Sequence, residues 1–144
     1  MQAPAVASAR PMPDLGAYLQ RAGMMRRVSG VHDCCAFPAD WAIECGWPDP
    51  MAAWRGAYGT EAEAEALIFD AGGLVPLFSA GMEMAGLPEA DEPHVGDIGV
   101  VSLLGEEAGA IFTGKRWAFA ADRGIACASL EPGAVLKCWT VSRG

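Results

Sequence analysis

At 144 residues the chain has the length of one domain, enough to bury roughly 70% of the surface its unfolded form exposes. Ten Lys and Arg stand against 18 Asp and Glu, and a formal charge of −8 has the wrong sign for neutralising phosphates, which excludes nucleic acid and anionic lipid surfaces as expected partners. A hydrophobic share of 52% argues against disorder, and five cysteines, an odd number with two adjacent, suit no disulfide framework and point to synthesis in a reducing compartment.

Residues 1–13 are rich in Ala and Pro, without a basic start or a continuous apolar block, and are expected to form a flexible arm ahead of a single domain over 14–144. Asp14 is placed to cap a first helix carrying Leu15, Tyr18, Leu19 and Ala22 on one face and ending near Gly23. The aperiodic stretch Arg26 to His32 reads as a loop that delivers Asp33-Cys34-Cys35. Cys34, Phe37, Trp41 and Cys45 then recur at helical spacing, with Asp33 as N-cap. Pro38 cannot donate to the Cys34 carbonyl, so the first turn is expected to be distorted, or the helix proper to begin at Pro38.

Gly46 to Pro50 stops that helix, and a short piece around Met51 to Arg55 precedes a turn at Gly56 to Gly59. Thr60 and Glu63 have capping-box spacing and open a helix from Glu61 to Ala71, closed by Gly72-Gly73. Leu74, Leu77, Phe78 and Met82 add a further turn or two. The charge-free stretch Ala71 to Met82 contains Pro76 and is far shorter than the roughly 20 residues of a membrane span, so no span is expected. Short apolar runs at Ile98 to Leu104, Ala110 to Thr113, Lys115 to Ala121, Gly124 to Leu130 and Val135 to Val141 predict an antiparallel meander of four to five strands. The resulting fold class is α+β, with N-terminal helices packed on one face of a C-terminal sheet.

A cysteine at a helix start meets free backbone N–H groups that stabilise its thiolate, which places Cys34 ahead of the other cysteines as a nucleophile; the plainer alternative makes Cys34 and Cys35 small core residues. A metal centre on His32, Cys34, Cys35 and Cys45 is not expected, because adjacent cysteines fit two tetrahedral positions poorly. No phosphate-binding loop and no cofactor site is legible. Trp47 and Trp54, in a Pro/Gly-rich connection, are the candidates for contact with another chain.

Asp33-Cys34-Cys35-Ala36-Phe37 resembles the Asp-Cys-Ser-Gly-Phe signature of the NlpC/P60 cysteine peptidases, and Gly96-Asp97-Ile98-Gly99-Val100-Val101 resembles the Gly-Asp opening of their first strand, in the same order. The likeness is greatest to a branch found among tail-module proteins of tailed phages and prophages, in which an Asp-Cys-Cys-x-Phe-x-Ala-Asp-Trp stretch, an Asp-Pro and an Arg-Gly-x-Tyr recur; here these are Asp33 to Trp41, Asp49-Pro50 and Arg55 to Tyr58. The resemblance implies a papain-like NlpC/P60-type fold with Cys34 at the nucleophile position. It also calls for a general-base histidine in a His-x-Gly-Ile-x-x-Gly pattern. The corresponding stretch runs from Ala108 to Gly114, so Ala108 occupies the histidine position. His94 is a weak alternative base, His32 lies too close in sequence to Cys34, and Asp122 is the one polar candidate for the third member.

The expectation is therefore a structural component of a phage-type tail tip, a degenerate cysteine-peptidase fold made in the bacterial cytoplasm and located in the virion tail. Its expected contacts are other tail-tip proteins, and peptidoglycan. The loop bearing Trp47 and Trp54 or the arm Gln2 to Pro13 would dock it. The alternatives are an active cell-wall peptidase using Cys34 and a tail assembly factor not retained in the particle.

Overall fold

The computed structural model describes residues 13–142; residues 1–12 of the expected arm lie outside them. Among the described residues four α-helices come first: α1 (Leu15–Ala22), α2 (Ala36–Glu44), α3 (Glu61–Ala71) and α4 (Leu74–Ala85). Six strands follow: β1 (Glu89–Ala90), β2 (Ile98–Leu103), β3 (Glu106–Phe112), β4 (Trp117–Ala120), β5 (Ile125–Ala128) and β6 (Val135–Trp139). The molecule is α+β, and among the described residues no single helix is long and apolar enough to cross a membrane.

Local chemistry accounts for the helix ends. The Asp14 carboxylate accepts the Ala17 N–H at the start of α1, and the Thr60 hydroxyl accepts the Glu63 N–H at the start of α3. The Glu63 carboxylate reaches back to the Gly59 N–H, one residue before the cap. Gly72 ends α3 in the left-handed region at φ +94°, where a side chain would be strained. α4 then runs for 12 residues rather than the expected turn or two, because Leu74, Leu77, Phe78, Met82 and Ala85 form one continuous buried face.

The sheet differs from the expected meander in count and in order. Its strands lie in the order β1-β6-β2-β3-β4-β5, all antiparallel. β2 to β5 do form a meander, but β6 returns to the free side of β2 and the two-residue β1 pairs outside it. β1 escapes sequence reading because two residues have no period. β3 begins at Glu106, four residues ahead of the expected strand at Ala110, because Leu104 (φ +51°) and Gly105 (φ +85°) alone complete the hairpin with Leu103 opposite Glu106.

One face of the sheet carries Ile98, Val100, Ile111, Ala118 and Trp139 and packs against Phe37 and Trp41 of α2 and Leu77, Phe78 and Met82 of α4. The opposite face holds a smaller cluster of Val101, Ala110, Trp117 and Cys138, with Ala108, Phe112, Leu130 and Val135 against it. Alternation along β3 therefore puts Gly109 and Ile111 towards the helices and Ala108 and Ala110 away from them.

Gly109 sets how closely α2 and α4 approach the sheet. A Cβ there would lie 2.2 Å from the Cys34 carbonyl oxygen and 2.5 Å from Phe78 Cζ. Gly109→Ala is expected to destabilise the protein by about 3 kcal/mol in chemical denaturation, because backbone on one side and a packed ring on the other must both yield. Gly133→Ala, with open space around the added methyl, is expected to stay within about 0.5 kcal/mol of the parent.

Candidate functional site

The site is organised by the Asp33 side chain, which is buried among donors from three parts of the chain. Its Oδ1 accepts the N–H groups of Cys35 (2.9 Å) and Ala36 (2.7 Å), and its Oδ2 accepts the Gly30 N–H (2.7 Å) and the Tyr58 hydroxyl (2.7 Å). Four donors offset the cost of taking a carboxylate out of water. Asp33 thus caps the segment entering α2, as expected, and the turn at residues 34 and 35 is irregular, with regular helix beginning at Ala36. Pro38 offers the Cys34 carbonyl no N–H, and that carbonyl is pressed instead against Gly109 of β3.

Cys34 is half-buried and lines a cleft of about 360 Å³ together with Arg27, Cys35, Tyr58, Glu65, Ile68, Leu74 and Glu107. Helix α3 forms the outer wall; it has no buried residue and offers Ala64, Glu65 and Ile68 to the cleft. On the opposite side Glu107, on the helix-facing side of β3, accepts the Leu74 N–H at 3.3 Å.

The Cys34 sulfur lies 4.0 Å from that of Cys35. The Cys34 thiol is held below its ordinary pKa, first by the Cys35 S–H donating to it, then by the Gly109 amide and the Arg27 charge; burial and the Asp33 charge oppose them without prevailing. Cys35 moves the other way, well above the ordinary value, because it keeps its proton for Cys34 and is buried. Cys45, one helix length away, is pushed up to about 12 by burial and by Glu44. Burial, together with the hydrogen bond to Asp33, raises the Tyr58 hydroxyl.

The other expected site residues stand apart from this thiol. Ala108 is on the far face of the sheet, so the position matched to the histidine of the resembled peptidases does not face the cleft in this register, whereas Glu107 lines it. His94 is exposed at the start of β2, its Nδ1 3.8 Å from Asp97 Oδ2, and it does not line the Cys34 cleft. Buried Asp97 clamps that turn by accepting the N–H groups of His94 and Val141. His32 is buried with its Nε2 2.7 Å from the Gly124 carbonyl oxygen, which can only accept, so Nε2 carries a proton and the ring ties the α2 loop to the start of β5. The exposed Asp122 contributes its backbone carbonyl to the Arg27 N–H. Trp47 and Trp54 are half-buried against the core; Trp47 Nε1 donates to the Val141 carbonyl at 2.9 Å, and the Trp54 ring sits over Gly81.

Sequence reasoning missed Tyr58, Arg27 and Glu107 as members of the site. Tyr58 was visible only as the last residue of the Arg-Gly-x-Tyr stretch, and the structure gives that stretch its meaning. Arg55 bridges Asp40 of α2 (2.6 Å) and Asp49 (2.9 Å), while Tyr58 closes on Asp33. Among the described residues no group of three or more His, Cys, Asp or Glu is disposed to hold a metal ion.

A family model described as a domain of unknown function (DUF6950) matches residues 10–141. No curated protein and no solved structure matches the chain.

Two expectations test this geometry. Iodoacetamide should alkylate Cys34 at pH values below those at which an unstructured cysteine peptide, with a pKa of about 8.5, stops reacting. The sign follows from the shift: a lowered pKa keeps the thiolate populated as pH falls. Cys35→Ala removes the main donor and leaves burial and the Asp33 charge opposed only by the Gly109 amide and Arg27, so the midpoint of the alkylation profile should move up. Tyr58→Phe should cost about 2 kcal/mol in denaturant unfolding, since it leaves a buried carboxylate oxygen one donor short.

Proposed function

The chain belongs to the DUF6950 family, and from its cysteine cleft we propose that it is a structural component of a phage-type tail tip, built on a degenerate NlpC/P60-like cysteine-peptidase fold. The observation that carries this reading is the company of the Cys34 sulfur. Its hydrogen-bonding neighbours are Cys35 and the Gly109 amide, while His32 is committed to the Gly124 carbonyl and His94 stands exposed outside the cleft. A cysteine peptidase must return a proton to the departing amine, and neither of these imidazoles is in place to do so.

Support for the papain-like assignment comes from a cysteine at the start of a helix that packs on the strand pair of an antiparallel sheet, in the chain order helices then strands. In this role the domain works by docking on other tail-tip proteins in the virion tail, after synthesis in the bacterial cytoplasm. Peptidoglycan is a further contact surface for it.

One observation favours the rival reading, an active wall peptidase: the Cys34 thiol is held low and opens on a cleft large enough for a peptide side chain. Incubating the full chain with peptidoglycan stem peptides separates the two. No new amine above the level of a Cys34→Ala control is expected, and Cys34-dependent cleavage overturns the proposal in favour of the peptidase. Mass spectrometry of purified particles is expected to find the chain; its absence there would move the reading to an assembly factor.

A further inference from the structure

A thiol held below its ordinary pKa, in a cleft without a histidine, still has a use in redox chemistry. The sulfurs of Cys34 and Cys35 are 4.0 Å apart, Cys34 at the floor of an open cleft and Cys35 buried beside it. Both lie in the irregular turn ahead of α2. There the Cys35 N–H donates to the Asp33 carboxylate and the Cys34 carbonyl lies against Gly109. A small oxidant reaches Cys34 through the cleft and finds the second sulfur already beside it.

The geometry points to Cys34 and Cys35 as a peroxide-sensitive dithiol, in which a hydroperoxide oxidises Cys34 and Cys35 then closes a disulfide onto it. In the first step the Cys34 thiolate attacks the peroxide. An S–O bond forms, the O–O bond breaks, the sulfur loses two electrons to become a sulfenic acid, and the peroxide leaves as an alcohol or water. In the second step the Cys35 sulfur attacks that of Cys34. The S–S bond forms, the S–O bond breaks, and the hydroxide departs as water with the Cys35 proton. Two thiols and one hydroperoxide thus give one disulfide, one alcohol or water, and one further water.

Adjacent Cα atoms sit about 3.8 Å apart, closer than the roughly 4.4–6.8 Å usual for disulfides, so the bond is strained and readily opened by a dithiol reductant. That strain makes the modification reversible. The inference is independent of the hydrolase question, since neither step involves a peptide bond.

The test treats the native full chain with an equivalent of hydrogen peroxide, then alkylates it under denaturing conditions and weighs it. Loss of two of the five alkylation sites is expected, with the peptide carrying Cys34 and Cys35 two hydrogens lighter and restored by dithiothreitol. Cys45 shares that tryptic peptide, so the same loss should persist in Cys45→Ser. In Cys35→Ala, checked for folding by circular dichroism, Cys34 should instead be trapped by dimedone as the sulfenic acid. If Cys34 and Cys35 both stay alkylatable while exposed Cys127 is oxidised, the proposal is overturned. It is equally overturned if wild-type Cys34 gains oxygen atoms while Cys35 remains alkylatable. Both of those readings on the wild-type chain hold whether or not the alanine variant folds.

Discussion

The buried carboxylate of Asp33 is the constraint from which the site follows. A carboxylate in the interior must find donors, and Asp33 finds four in the Gly30 loop, the first turn of α2 and the Tyr58 hydroxyl 25 residues further on. Meeting that demand fixes the turn between residues 30 and 36. Once the turn is set, the Cys34 carbonyl has one place to go, against the bare backbone of Gly109, and the side chain on the same residue opens to the cleft. Cap, glycine and thiol are consequences of one electrostatic requirement.

A second clasp holds the same region from the other side of α2. Arg55 takes Asp40 and Asp49 together, with its Nε on one and its Nη2 on both, at side-chain exposures of 29%, 41% and 22%. Burial works against the guanidinium charge, and the two carboxylates outweigh it; burial raises the pKa of Asp40 despite the neighbouring Arg55. Because the pair is partly wet, its worth lies more in geometry than in stability. Together Arg55 and Tyr58 tie the segment 49–58 to the entry and the middle of α2, which gives a joint physical meaning to the Asp-Cys-Cys-x-Phe-x-Ala-Asp stretch and the Arg-Gly-x-Tyr that follows.

What could be read from the sequence was what is decided locally. Asp14, Thr60 with Glu63, and Gly72 are caps whose partners lie within a few residues, and Ile98 to Leu103 is an apolar run that can only be a buried strand. The Asp33 cap and the Pro38 distortion belong with them. The features that escaped are decided across the chain. β6 inserts between β1 and β2 because Trp139 and Cys138 complete clusters on opposite faces, and no short-range signal records that. The facing of Ala108 depends on sheet register, in which a shift of one residue exchanges the two faces, so a sequence motif places the residue type and leaves its side undetermined. Trp47 and Trp54 sit in a segment whose composition reads as surface, yet each indole finds a partner far away, the carbonyl of Val141 and the backbone of α4.

The site also separates two properties usually supplied by one histidine. Lowering a thiol's pKa requires only donors, and Cys35 and the Gly109 amide provide them without any imidazole. Breaking an amide needs in addition a group that gives up a proton at the right moment. Tyr58 reaches the cleft, but its hydroxyl is committed to Asp33 and its pKa is raised, and Asp33 itself has every acceptor position engaged. The hydrogen bonds that build the cleft therefore commit Tyr58 and Asp33, two groups beside the thiol that could have served as acid or base. What they leave is a thiol whose nearest side-chain partner is a second thiol, an arrangement suited to exchanging electrons with sulfur and poorly suited to passing protons to nitrogen.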